Sequence, residues 1–187
     1  MRTRLAGLAL LLILASPAPA QEATEKVRDA EALLARGRVI EAIEALDDAA
    51  VALWQKAPLA FRRSLWVTEK AAGFGMYNPR PDAVFSAGQP MLVYAEPIGY
   101  GWFKNGDIYH VEILADVVFR GADGKELFRK DNFQKLELSG RVRNREFMVN
   151  FTYTLSGIPK GEYTVETTLR DQVTDKKGSF ILPFTIR

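Results

Sequence analysis

YHVEILADVVF, residues 109–119, is the stretch on which the fold turns. Tyr109, Val111, Ile113, Ala115, Val117 and Phe119 alternate onto one face, and His110, Glu112 and Asp116 fall on the other with Leu114 and Val118. A period of two is that of a β-strand with one face in a core. The same alternation recurs downstream. FMVNFTYTL (147–155) sets Phe147, Val149, Phe151, Tyr153 and Leu155 against Met148, Asn150, Thr152 and Thr154. YTVETTL (163–169) and FILPFTI (180–186) repeat the pattern, and SLWV (64–67), MLVYAE (91–96), KELFRKD (125–131) and FQKLEL (133–138) are shorter strand segments. Asp123-Gly124, the SGIPKG run at 156–161 and TDKKG at 174–178 supply turns between them. No helical pattern separates these strands, so parallel βαβ units are excluded. The expected class is mainly β: an antiparallel sandwich of about seven or eight strands.

Before residue 58 the period is helical. Val27, Ala30, Leu33 and Leu34 share a face in EATEKVRDAEALLARG, and Gly37 follows Arg36 as a stop. In VIEAIEALDDAAVALWQKA, Ile40, Ile43, Leu46, Ala50, Leu53 and Trp54 form a stripe that must be covered by something. LLARGRVIEAIEALDDA resembles half of a tetratricopeptide repeat, but no second copy follows. Arrays of such repeats need three or more units, so the expectation is a single α-helical hairpin.

GEYTVETTLRDQVTDKKGSFILPFTI, residues 161–186, resembles the last two strands of immunoglobulin-like domains. That resemblance implies that Tyr163 hydrogen-bonds backwards at a strand corner, with Val165 in the place of a core cysteine. It implies an exported bacterial immunoglobulin-like β-sandwich of uncharacterised function, and it speaks to fold rather than activity.

The N-terminus, MRTRLAGLALLLILASPAPA, has a basic start, an apolar run from Leu5 to Ala15 and a small-x-small end at Ala18-Pro19-Ala20. This predicts a cleavable export signal over residues 1–20, a helical hairpin over 21–57 and the sandwich over 58–187. The expected location is periplasmic or secreted, with no membrane span in the mature chain. Of 25 basic and 23 acidic residues the signal removes two arginines, leaving 23 of each. A neutral mature chain makes no general electrostatic case for nucleic acid or anionic lipid. The chain has no cysteine, which excludes thiol catalysis, disulfides and thiolate metal sites.

Chemistry is sparse. His110 is the one histidine, with Glu112 about 7 Å and Asp116 about 20 Å along the same strand face. No serine sits in a nucleophile-elbow pattern. Glu96, Asp107 and Glu112 are candidates for a carboxylate pair that could hydrolyse a glycoside. No catalytic residue, metal or cofactor is assigned. The Asn150-Phe151-Thr152 sequon reads as strand residues.

Two glycine- and aromatic-rich segments flank MLVYAE: residues 70–90, with Phe74 and Tyr77, and EPIGYGWFKNGDIY (96–109), with Tyr100, Trp102 and Phe103. Loop aromatics either fold back on the core or wait for a partner. One expectation is that they receive the helical hairpin. The other makes Tyr100, Trp102, Phe103, Phe74 and Tyr77 a binding surface. The function expected is an exported non-enzymatic interaction or structural module of the bacterial envelope with a protein or polypeptide partner. The alternatives are a carbohydrate or cell-wall binding module and, behind it, a carboxylate-dependent glycoside hydrolase.

Overall fold

The computed structural model describes residues 19–187. The expected export signal lies outside them except for its last two residues, which open the first helix. Two helices precede the strands: α1 (Pro19–Ala35) and α2 (Val39–Lys56). The chain divides into two compact units, one ending at Leu53 and one spanning Trp54–Arg187. The division falls one turn before the expected boundary at 57/58, so the last turn of α2 belongs with the strands.

Within the first unit α1 ends where the sequence predicts. Gly37 takes a left-handed φ of 73°. Its N–H donates to Leu34 O (2.9 Å), and that of Arg38 donates to Leu33 O (3.0 Å). These two bonds satisfy the orphan carbonyls of the last turn and reverse the chain. The helices meet through small residues: Ala23, Ala30, Ala42 and Ala49 are buried. Lys26 and Asp48 pair at 3.3 Å along one edge of the hairpin.

The second unit is built from β1 (Ala60–Val67), β2 (Val84–Phe85), β3 (Met91–Ile98), β4 (Phe103–Asn105), β5 (Ile108–Gly121), β6 (Glu126–Gly140), β7 (Val149–Tyr153), β8 (Gly161–Asp171) and β9 (Lys177–Ile186). One sheet has the order β1-β3-β7; the other runs β2-β9-β8-β5-β4, with β6 also paired to β5. Every pairing is antiparallel except the short one between β2 and β9, which is parallel and departs from the expected all-antiparallel arrangement. The two-residue β2 and three-residue β4 carry too little pattern to be visible in sequence.

The alternating faces form one core between the sheets. Val93, Ala95 and Phe151 from the first sheet join Val117, Val165, Leu169 and Phe180 from the second. The rings of Phe151 and Phe180 lie 6.1 Å apart. Trp66 of β1 donates its indole N–H to Pro183 O of β9 (2.9 Å), pinning one sheet to the other.

The segments 125–131 and 133–138, expected as separate strands, are one strand with a bulge. Pairing with β5 jumps from Ala115↔Gln134 to Val117↔Lys130. Asn132 sits in the bulge with φ 51°. Asp116 holds it there, accepting the Asn132 N–H (2.7 Å) and the Arg170 Nε (2.7 Å) and Nη2 (3.1 Å) donors. Those hydrogen bonds from the Arg170 guanidinium hold the Asp116 carboxyl below the usual carboxylate range.

Candidate functional site

EPIGYGW is a plug in the end of the sandwich. Tyr100 has no exposed surface. Its hydroxyl donates to Asn144 O (2.9 Å), and the Trp102 indole N–H donates to the same oxygen (3.1 Å). Trp54, in the last turn of α2, meets Tyr100 edge-on at 5.0 Å and stacks on Trp102 at 5.7 Å. Its indole N–H donates to Tyr100 O (2.8 Å). The sequence grouped Trp54 with the aliphatic stripe of α2, yet its ring is buried here.

The glycines permit this close approach. A Cβ on Gly99, where φ is 79°, would stand 2.2 Å from Pro58 O, and one on Gly101 would meet Thr174 Cγ2 at 2.4 Å. Asp171, also buried, accepts from Gly101 N (2.7 Å) and Val173 N (2.9 Å) and from the Thr174 hydroxyl. Lys176 donates to Gln55 O (2.9 Å) and Gly99 O (2.8 Å), and its burial lowers its pKa. Burial likewise raises that of the Tyr100 phenol. Each polar atom of the plug named here has a partner within the second unit.

The other aromatic-glycine segment folds back on the outer face of the β1-β3-β7 sheet. Tyr77 stacks on Tyr94 at 4.3 Å, and Val67, Ala71, Leu92 and Met148 complete a small second core. The Gly75 N–H donates to the Tyr94 hydroxyl (2.7 Å), which donates to Glu96 Oε1 (2.7 Å). Burial is the main cause that pushes the Tyr94 phenol up to about 12. The Asn150 side chain clamps Ala71, accepting its N–H (2.9 Å) and donating to its O (3.0 Å). Phe74 is half-buried, with the Arg62 guanidinium 5.9 Å from its ring centre.

One of the two expectations made five residues a single binding surface, and the structure separates them. Tyr100 offers no ring face. Tyr77 is turned to Tyr94, Trp102 to Trp54, and Phe74 lies under Arg62. Phe103 stands apart, 43% exposed and stacked on His110 at 5.0 Å.

The carboxylates do not converge. Glu96 is buried against Tyr94 and Asp107 is exposed in the turn before β5. Glu112 pairs with Lys135 at 3.0 Å. His110 Nδ1 lies in hydrogen-bond contact with Ser139 Oγ at 2.8 Å. A cleft of about 510 Å³ beside Tyr163 has Glu162 as its one carboxylate, so it presents no acid–base pair. Among the described residues no group of three or more His, Asp or Glu side chains could hold a metal ion.

Among the described residues, exposed large hydrophobic side chains gather on the hairpin. Counting about 100° per residue from the buried alanine line, Val27 and Leu34 of α1 lie to one side of it. Val39, Ile43, Leu46, Ala50 and Leu53 of α2 lie to the same side of the helix pair, because antiparallel helices mirror their senses of rotation. The Lys26–Asp48 ion pair marks the opposite side. Ile43 is 52% exposed, Leu46 49% and Leu53 58%. In sequence the α2 stripe reads Ile40, Ile43, Leu46, Ala50, Leu53 and Trp54; four of these share the exposed face, Val39 stands there in place of Ile40, Trp54 is buried, and that alanines would join the two helices was not legible.

No family model matches the chain, and no curated protein matches it. Solved structures give distant similarity. A PKD domain of a peptidase from a Thermoplasmatales archaeon aligns over 70% of this chain and 96% of its own, with 12% identity and a TM-score of 0.37. The C-terminal domain of wzt aligns over 72% and 84% (11% identity, TM-score 0.36). A superoxide reductase (neelaredoxin) from Ignicoccus hospitalis aligns over 71% and 84% (10% identity, TM-score 0.35). The chain is mainly β, with two helices ahead of a β-sandwich, and no helix among the described residues is long and apolar enough to cross a membrane.

Proposed function

We propose that the protein is an exported, non-enzymatic interaction or structural module of the bacterial envelope that binds a protein partner through its helical hairpin. The exposed aliphatic face of the hairpin carries this reading. Isolated exposed leucines are ordinary, but a contiguous row of them on a helix pair marks a docking surface. The sandwich is read as an immunoglobulin-like domain. Supporting that, Tyr163 at the start of β8 donates to Pro159 O (2.8 Å), and Val165, two residues on, is fully buried. The leader-like sequence of residues 1–20 supports export.

A photo-crosslinking residue at Leu53 is expected to trap a single protein species in cell-envelope preparations. Trapping that is absent, or unaltered by Leu46→Asp, overturns this reading. Phe103, exposed beside His110, favours a second reading, a glycan-stacking surface. It requires retention on a murein or glycan matrix that Phe103→Ala abolishes.

A further inference from the structure

We propose that the occupant of the hairpin face is a second copy of this chain, laid across it about a two-fold axis to complete a four-helix bundle. The inference rests on the reading of that face as the docking surface.

Spacing favours a helical partner. Val39, Ile43, Leu46, Ala50 and Leu53 follow one another at intervals of four, three, four and three residues. That is the seam by which one helix packs along another at a shallow angle, knobs into holes. Residue size favours the same seam as its own partner. A two-fold interface must be complementary to itself. With two α2 helices antiparallel and the axis level with Asp48, Leu46 faces Ala50 of the partner subunit, and Ile43 faces Leu53 of the partner subunit. The largest side chain at the centre meets the smallest, and no charge lies between them. Asp48 is turned to the other side, where Lys26 holds it.

Area points the same way. Two helices of 17 and 18 residues side by side present a face about 27 Å long and 18 Å wide. Pairing two such faces buries roughly 1,000 Å², the lower bound for a specific interface. On the exposed side of α1, Val27 and Leu34 widen the seam to the two helices per subunit that a bundle needs.

Sedimentation velocity of the full-length gene product, expressed with its own N-terminal segment, tests the proposal over about 1–100 μM. The expected result is twice the chain mass, with at least tenfold weaker association in Leu46→Asp. Ala50→Glu is a second variant suited to a helix, and it is expected to give monomers whose sandwich unfolds as the parent's does. Because the chain has no cysteine, pairing can also be read covalently. A Leu46→Cys, Ala50→Cys variant is expected to oxidise to a disulfide-linked dimer, whereas Lys26→Cys, on the opposite side, is not. A monomer at every concentration, or equal crosslinking from both positions, overturns the proposal. If the chain is monomeric but Leu46→Asp still abolishes trapping of a different protein at Leu53, the second copy is wrong and the docking reading stands. If Leu46→Asp changes neither association nor trapping, both fall.

Discussion

The aromatic end of the sandwich and the aliphatic face of the hairpin differ in where their apolar side chains find cover. Glycines with Tyr100 and Trp102 read either as a seat for the helices or as a loop waiting for a ligand; their rings are packed, Trp54 of α2 among their neighbours, and their polar atoms are bonded within the unit. The regular row Val39, Ile43, Leu46, Leu53 looks like a core stripe, yet it is exposed. Composition reports which side chains can be buried together; it does not say which of two apolar surfaces finds its partner inside the chain. On the sandwich the balance is set by saturation, since the N–H groups of Trp54, Trp102 and Gly101 and the hydroxyl of Tyr100 all have acceptors. On the hairpin it is set by alanine, which brings two helices close without using the larger side chains.

The strongest way to break this contrast is to remove the ring that closes the plug. Trp54→Ala is expected to destabilise the sandwich unit by about 3–5 kcal/mol, read by urea unfolding, because a buried indole and its hydrogen bond are lost together. A loss under about 1 kcal/mol would show that the plug is ornamental to the fold. Next comes Asp116, which joins the β6 bulge to Arg170. Asp116→Asn is expected to cost about 1–2 kcal/mol at neutral pH, discounted because Arg170 remains partly exposed. The Asp116 carboxyl is lowered in the folded state, so its contribution is complete above the unfolded value of about 3.9 and fades as pH falls through the lower folded value. Parent and variant should therefore converge in acid; curves that stay parallel to pH 2 would refute this assignment. Tyr163→Phe should cost about 1 kcal/mol, the hydroxyl's bond to Pro159 O, and an unchanged melting temperature counts against the corner. The smallest effect belongs to the hairpin. In dilute solution, where the chain is monomeric, Ile43→Ser should change stability by no more than about 0.5 kcal/mol. A large loss there would mean that the face is already covered.

Much of the sandwich was legible, because residues 109–119, 147–155, 163–169 and 180–186 alternate over enough positions to declare both strand and inner face. The backward hydrogen bond of Tyr163 was implied only by the resemblance of residues 161–186 to immunoglobulin-like strands, not by any local period. The bulge was not, since Asp131 and Asn132 look like a break between strands until Asp116 and Arg170 are seen to hold them. The fate of the aromatic loops depended on contacts distant in sequence: Tyr100 with Asn144, Tyr77 with Tyr94, and Gly101 with Asp171. Such partners leave no local period. Nor could sequence separate Trp54 from the stripe it adjoins, because helical spacing gives direction and not neighbour.

The Lys176 clamp also bears on the order in which the chain folds. Its ammonium bridges the carbonyls of Gln55 and Gly99, contacts that span 121 and 77 residues. Closing loops of that length is slow beside forming a helical hairpin whose contacts are local. During synthesis the hairpin can therefore form while Lys176 has yet to be made. A φ-value near zero for Trp54→Ala, against higher values for alanine-line substitutions such as Ala30→Gly, is the kinetic signature to look for, and the reverse order would rule this sequence of events out.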